Sequence, residues 1–218
     1  MLKNFVAISA ALTTLALGAS AQAGSQTYTL TFDGAICGGA VCADGDSIDP
    51  LYGSVPGVSV VVYSSDVNNI GSTNHLYFWS GGYSDLTNVA YGDYGGTPGF
   101  AIITLIPNST VTINSFDLGA WPNVDRQSQV IWYSAEGQFG GPGPITVSGT
   151  TASHFTPNLS STFGVAVLFG PDGYNVGVDN ITYTITTVPE PGSWALMLVG
   201  FGGLGAALRA SRRKAVVA

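Results

Sequence analysis

The sequence predicts an all-β protein, an antiparallel β-sandwich for which a jelly roll is the favoured topology. Three observations predict it. Apolar and aromatic residues alternate with polar ones in run after run between residues 24 and 187, which is the period of a strand with one buried face. Clusters rich in Gly, Pro, Asn and Asp separate those runs, as at Val55-Pro56-Gly57, Asn68-Asn69-Ile70-Gly71, Gly95-Gly96-Thr97-Pro98-Gly99 and Gly140-Gly141-Pro142-Gly143-Pro144; such residues turn the chain because of their backbone sterics. No stretch of that interval carries a convincing helical period. About eight or nine short strands in one domain-sized segment favour two packed sheets, with a jelly-roll connection between them.

The elements follow in order. Met1-Leu2-Lys3-Asn4 is a positive start, Phe5 to Leu17 an apolar centre, and Ala19-Ser20-Ala21-Gln22-Ala23 a small-residue cleavage pattern. Residues 1–23 therefore read as a secretory signal peptide, and the sandwich occupies 24–187. Its strands are marked by Tyr28, Leu30 and Phe32; Val58, Val60 and Val62; Leu76 and Phe78; Phe100, Ile102, Thr104 and Ile106; Val111 and Ile113; Val130 and Trp132; Phe163, Val165, Val167 and Phe169; and a final pair of runs, Val176 and Val178, then Ile181, Tyr183 and Ile185. The last two runs have opposite parity. Their apolar face stays inward only if one extra residue is inserted at Asp179-Asn180, which predicts a β-bulge. The same slip separates Val111 and Ile113 from Phe116 and Leu118, so Asn114, Ser115 and Asp117 mark a second bulge.

Charge narrows the function. In 24–187 the acids Asp33, Asp44, Asp46, Asp49, Asp66, Asp85, Asp93, Asp117, Asp125, Glu136, Asp172 and Asp179 face a single base, Arg126. Such a surface repels phosphate, so nucleic acid is excluded as a partner and anionic membrane is disfavoured. Disorder is excluded as well, because the segment is rich in Val, Ile, Phe, Tyr and Trp. Asp is disfavoured in strands, yet Asp33, Asp117 and Asp179 each follow an apolar strand residue. A hard cation would compensate them: outside the cell calcium binds carboxylate, amide and main-chain oxygens. First and last strands of a jelly roll lie close, so Asp33 and Asp179 are the candidate pair for a structural calcium, against the alternative of solvated or turn-capping carboxylates. Asp44-Gly45-Asp46-Ser47-Ile48-Asp49 has the look of an acidic ion loop but lacks the Glu that closes an EF-hand.

Cys37 and Cys42 bracket Gly38-Gly39-Ala40-Val41, a loop short enough and glycine-rich enough to close as a disulfide in an exported protein. Zinc would need further soft ligands, and His75 and His154 are distant in sequence. No nucleophile elbow, zinc-protease helix motif or phosphate loop occurs. Paired carboxylates such as Asp125 with Glu136 leave a glycosidase open on paper. Tyr91-Gly92-Asp93-Tyr94-Gly95 and Gly170-Pro171-Asp172-Gly173-Tyr174 place Tyr91, Tyr94 and Tyr174 in glycine-rich segments, as candidate sugar-stacking rings beside Asp and Asn hydrogen-bonding groups.

The C-terminal region has a different composition. Val188-Pro189-Glu190-Pro191-Gly192-Ser193-Trp194 precedes an apolar run, and Arg209, Arg212, Arg213 and Lys214 follow it. From Ser193 to Leu208 sixteen residues carry no charge, spanning roughly 24 Å as a helix against the ~30 Å hydrocarbon core. The run enters a membrane and spans it only marginally, with its basic end cytoplasmic and Trp194 at the interface. Residues 188–214 resemble the PEP-CTERM sorting signal of Gram-negative bacteria that make exopolysaccharide, in its Pro-Glu-Pro-x-x-Trp-Ala subtype, also catalogued as an ice-binding-protein C-terminal motif. The resemblance implies secretion machinery and an exosortase as partners, a transient inner-membrane stage, cleavage at Pro189-Glu190-Pro191, and release to the outer envelope or extracellular matrix. Leu30-Thr31-Phe32-Asp33 and Gly177-Val178-Asp179-Asn180-Ile181 resemble the ends of carbohydrate-binding-module jelly rolls that hold a structural calcium. The expected function is a structural or glycan-binding matrix or biofilm protein associated with extracellular polysaccharide; the alternative is a polysaccharide-active enzyme on the same fold. An ice-surface binder would need a flat, regular Thr face, and in sequence Thr27, Thr29 and Thr31 alternate on one strand with no repeat to extend them.

Overall fold

The computed structural model describes residues 24–66, 69–93, 99–187, 197–206 and 208–209. The chain divides into two compact units, Ser25–Thr187 and a second made of Met1–Gly24 with Val188–Ala218. The first is a sandwich of strands β1 (Gly24–Leu30), β2 (Val58–Asp66), β3 (Asn69–Asn74), β4 (Leu76–Trp79), β5 (Val89–Gly92), β6 (Gly99–Pro107), β7 (Thr110–Ala120), β8 (Arg126–Ser134), β9 (Phe139–Val147), β10 (Ser153–Phe155), β11 (Leu159–Ser161), β12 (Val165–Gly170) and β13 (Val176–Thr187). Sheet I runs β10-β7-β13-β5-β4, with β1 added to β13 and β11 to β7; sheet II runs β3-β2-β6-β12-β8-β9. From β6 onward the chain passes repeatedly between the sheets. The late strand β12 inserts between β6 and β8, and β13 inserts between β5 and β7. This wrapped order is the jelly roll, which buries one face of each sheet against the other.

The core is built by alternation. Val58, Val60 and Val62 of β2, Val165, Val167 and Phe169 of β12, and Val130 of β8 face Val111, Ile113, Phe116 and Leu118 of β7 and Ile181, Tyr183 and Ile185 of β13. Each large side chain removed from water there contributes on the order of 2 kcal/mol. Phe116 reaches across to Trp132 at 6.3 Å, edge to face, and stacks on Phe155 at 5.1 Å. Phe32, Ile36 and Ile48 of the β1–β2 segment also enter this core. The segment is pinned to edge strand β4 by main-chain bonds from Ile48 to Leu76 and between Asp46 or Gly45 and Phe78, each at 2.9 Å.

The two bulges occur, and they face each other. Asp179 pairs with Asp117, Thr182 with Ser115, and Tyr183 with Ile113. β13 thus carries an extra residue after Asp179, and β7 carries Asn114 as its own extra residue one step further on. The insertions cancel, so both apolar faces point inward along the full length. Asn180 takes a left-handed φ of 54° at the bulge, a conformation Asn tolerates better than most residues.

Three sequence readings need correction. In β6 the face that joins the main core is Ala101, Ile103 and Leu105; of the expected residues Ile102 is buried outside that core, Phe100 and Thr104 are half-buried and Ile106 is exposed. The segment is apolar on both faces, and only its pairing with Val60 and Val62 sets the parity. Phe163 belongs to a turn and is 71% exposed. Ser161 Oγ accepts hydrogen bonds from the N–H groups of Phe163 and Gly164, which delays β12 until Val165. Gly140 to Pro144, read as a turn, lies within β9. That strand is the edge of sheet II, where prolines cost no ladder bond.

Cys37 and Cys42 form a disulfide with a Cα–Cα distance of 5.4 Å. Cys37 and Ala40 exchange main-chain bonds of 3.1 and 3.2 Å around Gly38 and Gly39, whose φ values of 62° and 89° need glycine. Mass spectrometry of the exported protein without reductant is expected to find it lighter by the two thiol hydrogens. The Cys37→Ser, Cys42→Ser double variant is expected to lose about 2 kcal/mol, since the closed loop is short. Free, alkylatable thiols in periplasmic material contradict the first expectation.

The described part of the second unit is a helix over 197–206 and 208–209. Met197, Leu198, Val199, Phe201, Leu204 and Leu208 are all exposed on it, so it has no polar stripe. The expected transmembrane segment at about 193–208 is not met among the described residues: no helix of theirs is long and apolar enough to cross a membrane. The continuous described stretch, 197–206, extends about 15 Å, less than the ~30 Å core. The signal peptide, Pro189, Glu190, Pro191, Trp194, Arg212, Arg213 and Lys214 lie outside the described residues; Arg209 lies at the exposed end of the helix.

Candidate functional site

The outer face of sheet I carries an aromatic cluster that the period-two rule builds. Leu76 and Phe78 of β4 point into the core, so Tyr77 and Trp79 point out; on β5, Tyr77 pairs with Tyr91 and Trp79 with Val89. Beside them the floor is glycine: Tyr91 pairs with Gly177, and Gly177 pairs with Gly119. The β4–β5 loop folds back over that floor and lays Tyr83 on it. A Cβ on Gly177 would come within 2.9 Å of the Tyr83 ring, and one on Gly119 would run into the Tyr83 main chain. The loop is clamped by Ser84, whose N–H reaches the Ala120 carbonyl at 3.1 Å and whose Oγ accepts from the Ala120 N–H at 2.8 Å.

Tyr91 is the hub. Its ring centre lies 5.8 Å from Tyr77, 6.2 Å from Trp79, 6.1 Å from Tyr83 and 5.5 Å from Tyr174. Trp121, at the end of β7, closes the group edge-on to Trp79 at 6.3 Å and to Tyr174 at 6.0 Å. Tyr83 and Tyr91 are buried, and Tyr83 Oη donates to the Tyr174 carbonyl at 2.7 Å, which holds the β12–β13 loop in place. The rings left to solvent are Tyr174, 42% exposed, and the half-buried Tyr77, Trp79 and Trp121. Of the sequence candidates, Tyr174 is thus presented and Tyr91 supports it; Tyr94 lies outside the described residues. Trp79, Trp121 and Tyr77 were missed. Tyr77 and Trp79 interleave with Leu76 and Phe78, a strand apolar on both faces, and that was the available signal.

Burial pushes the Tyr91 hydroxyl up to about 12, with Tyr174, Asp93, Tyr77 and Asp44 adding to the effect. Burial likewise raises Tyr83, aided by Tyr91, Tyr174 and Asp172 and opposed by Arg126. Arg126, the lone base of the sandwich, gives its Nε–H to the Trp121 carbonyl at 2.6 Å.

Next along the same face is a row of acids. Asp179 is directly opposite Asp117, and Asp117 is opposite His154. His154 Nδ1 lies 2.6 Å from Asp117 Oδ1, and Asn180 donates to the other oxygen at 2.9 Å. Asp179 is 7% exposed and its Oδ1 has no hydrogen-bond partner. Burial pushes its carboxyl up to about 6; the N–H groups of Asn180 and Phe32 oppose the shift, and Asp33 and Asp117 add to it. Asp33 and Asp179 therefore share one neighbourhood, along with the Tyr52 hydroxyl, which burial pushes up and both charges push further. Asn88 donates to Asp33 Oδ1 at 2.5 Å. An oxygen-only donor set with an orphaned buried carboxylate oxygen suits a hard cation. No group of three or more His, Cys, Asp or Glu capable of holding a metal occurs among the described residues, so carbonyls and water would have to complete its shell.

Beyond the bulges the face becomes a hydroxyl array. Thr27 Oγ1 lies 2.9 Å from Thr184 Oγ1, Thr29 Oγ1 3.2 Å from Thr182 Oγ1, and Thr112 Oγ1 2.7 Å from Ser160 Oγ. Thr184 pairs with Thr112, so the row Thr27, Thr184, Thr112, Ser160 crosses four strands. Strand pairing thus supplies the repeat that the sequence lacks, and the hydroxyls bond to one another.

Several of the remaining acids serve as local tethers. Asp44 accepts from the Ser80 N–H at 2.6 Å, Asp46 from Ala43 at 2.8 Å and Asp49 from Leu51 at 2.9 Å, so the three carboxylates of that loop turn to separate partners. Asp125 accepts from the Gly149 N–H at 2.9 Å. Glu136 accepts from Ser161 Oγ at 2.6 Å and the Thr162 N–H at 2.8 Å, which hold its carboxyl down at about 2. A general acid for glycoside cleavage needs the opposite shift. His75 is exposed at the β3–β4 junction, away from β10 with His154.

Residues 187–214 match the PEP-CTERM protein-sorting motif, which indicates an exported protein processed by exosortase. No curated protein matches the chain. Among solved structures the chain is similar to the Podospora anserina GH26-CBM35 β-(1,4)-mannanase, with 12% identity and a TM-score of 0.30, covering 61% of this chain and 28% of the mannanase chain.

Proposed function

We propose that the mature sandwich is an envelope or extracellular-matrix protein that binds glycan through the aromatic cluster on sheet I. The carrying observation is that Trp79, Trp121 and Tyr174 stay on the solvent side of a sheet whose other face makes the core, held by a buried Tyr83–Tyr91 base. Sugar rings stack on such apolar faces, while fixed Asp and Asn groups bond their hydroxyls. Before processing, the apolar C-terminal helix holds the protein at the inner membrane, and its basic end stays cytoplasmic. Asp33 and Asp179 hold a structural calcium that stiffens the middle of the same face.

A glycan-array screen of the exported mature protein tests the reading, followed by titration of the best ligand. Trp121→Ala and Tyr174→Ala are each expected to weaken binding about tenfold, or ~1.4 kcal/mol, with the melting temperature of Tyr174→Ala nearly unchanged. Binding that survives both substitutions places the site elsewhere. No binding to any glycan leaves a purely structural role.

A further inference from the structure

Three acids beside the aromatic cluster, Asp44, Asp93 and Asp172, bring charge as well as hydrogen-bond acceptors. Asp44 is fixed next to Trp79 by its two bonds to Ser80, 2.6 Å to the N–H and 3.1 Å to Oγ. Asp172 precedes Tyr174 by two residues and accepts from Asn175 Nδ2 at 2.8 Å. Asp93 follows Tyr91 by two residues, and its main chain is anchored because its carbonyl accepts from Ser64 Oγ at 3.1 Å. These three acids lie on separate segments, yet all act on the cluster: the hydroxyl of Tyr91 feels the charges of Asp93 and Asp44, and that of Tyr83 the charge of Asp172. The base near them, Arg126, is bound to the Trp121 carbonyl.

We propose that this site takes a cationic, amine-bearing glycan, a partly de-N-acetylated amino-sugar chain, in preference to neutral or anionic chains. The inference rests on the glycan reading above and names the ligand class of the same site. An ammonium group on a stacked sugar gains twice. The π-faces of Trp79, Trp121 and Tyr174 attract a cation, and carboxylates at the rim supply the counter-charge. An anionic polysaccharide meets those carboxylates as repulsion, reinforced by the acid excess of the whole sandwich. A neutral chain meets the stacking surface and the hydrogen-bonding groups but gains no charge attraction. The fixed acids thus sort ligands by charge while the rings sort them by shape.

The test compares four probes on the exported mature protein at a pH where sugar amines are protonated. They are a glucosamine oligosaccharide, its fully N-acetylated counterpart of equal length, an anionic uronic-acid oligosaccharide, and an oligolysine matched in charge to the first. The amine form is expected to bind at least about tenfold more tightly than the N-acetylated form. That ratio should fall as salt rises, and Asp172→Asn should lower it; Asp44→Asn, with melting checked because Asp44 also holds Ser80, should lower it as well. Equal or tighter binding of the N-acetylated or anionic chain overturns the charge inference and leaves the glycan reading standing. Absence of binding to every oligosaccharide overturns both. Oligolysine binding as tightly as the amino glycan, with no loss in Trp121→Ala, assigns the surface to basic peptides and overturns the inference.

Discussion

Replacing Pro189-Glu190-Pro191 by three alanines is expected to leave export across the inner membrane intact and to stop removal of the tail. Full-length protein then accumulates at that membrane, and nearly all of the normally released material disappears from the medium. Proline disfavours helix at its own position and at the residue before it, whereas alanine is the best helix former, so the substitution is expected to favour helix where the Pro-Glu-Pro sequence disfavours it. On the proposed reading the apolar run anchors the unprocessed chain and Arg209 with the basic residues after it sets the orientation, so an unprocessed chain is expected to stay at the inner membrane. Fractionation with mass measurement of each pool is the check. A variant recovered from the medium at the mature size shows that the motif is not the cleavage signal.

The largest stability effect is expected at Asp179, and its sign depends on pH and calcium. Its carboxyl is raised from 3.8 to about 6 in the folded state, chiefly by burial. A group whose folded value exceeds its unfolded value stabilises the fold below the unfolded value and loses that contribution as pH rises through the folded one. In chelator, the contribution of this carboxyl should therefore be fully present below about pH 4 and be lost as pH rises through about 6, on the order of 2 kcal/mol by pH 8. That loss corresponds to a fall in melting temperature of several degrees. On the proposed reading, calcium at Asp33 and Asp179 is expected to reverse the loss at pH 8, because a ligand at a hundredfold excess over its Kd adds about 2.7 kcal/mol. Asp179→Asn should remove both responses: it carries no buried charge, so it melts above the wild type in chelator at pH 8 and gains little from calcium. If the wild-type protein melts identically in chelator and in millimolar calcium, the ion is absent. The carboxylate then serves only to cap the Asn180 and Phe32 N–H groups at the bulge.

The bulge shows how far a one-dimensional pattern reaches. Val176 and Val178 against Ile181, Tyr183 and Ile185, and Val111 and Ile113 against Phe116 and Leu118, each change parity once. Those slips alone locate both insertions and imply a local rearrangement at Asp179 and Asn114. The same reasoning failed at β6, because Phe100 to Ile106 is apolar on both faces and period two then has no preferred phase. It failed at β9 because Gly and Pro mark an edge strand as readily as a turn. Phe163 misled for a third reason: its exposure is set by Ser161 capping the next N–H groups.

By itself the sequence determined what is encoded among near neighbours. Strand periodicity, the two bulges, the short Cys37–Cys42 loop and the sorting motif at the C-terminus all depend on residues close together along the chain. Only the tertiary structure decided which distant residues share a face. Tyr77, Trp79, Tyr91, Trp121 and Tyr174 come from β4, β5, the end of β7 and the β12–β13 loop, and they meet because Gly119 and Gly177 leave a floor for Tyr83. Asp33, Asp179, Asp117 and His154 form a row because β13 inserts between early strands. The physical reason is that side-chain alternation is a local property of the pleat, whereas sheet order and register follow from burying both sheets at once, a long-range condition that no window of sequence contains.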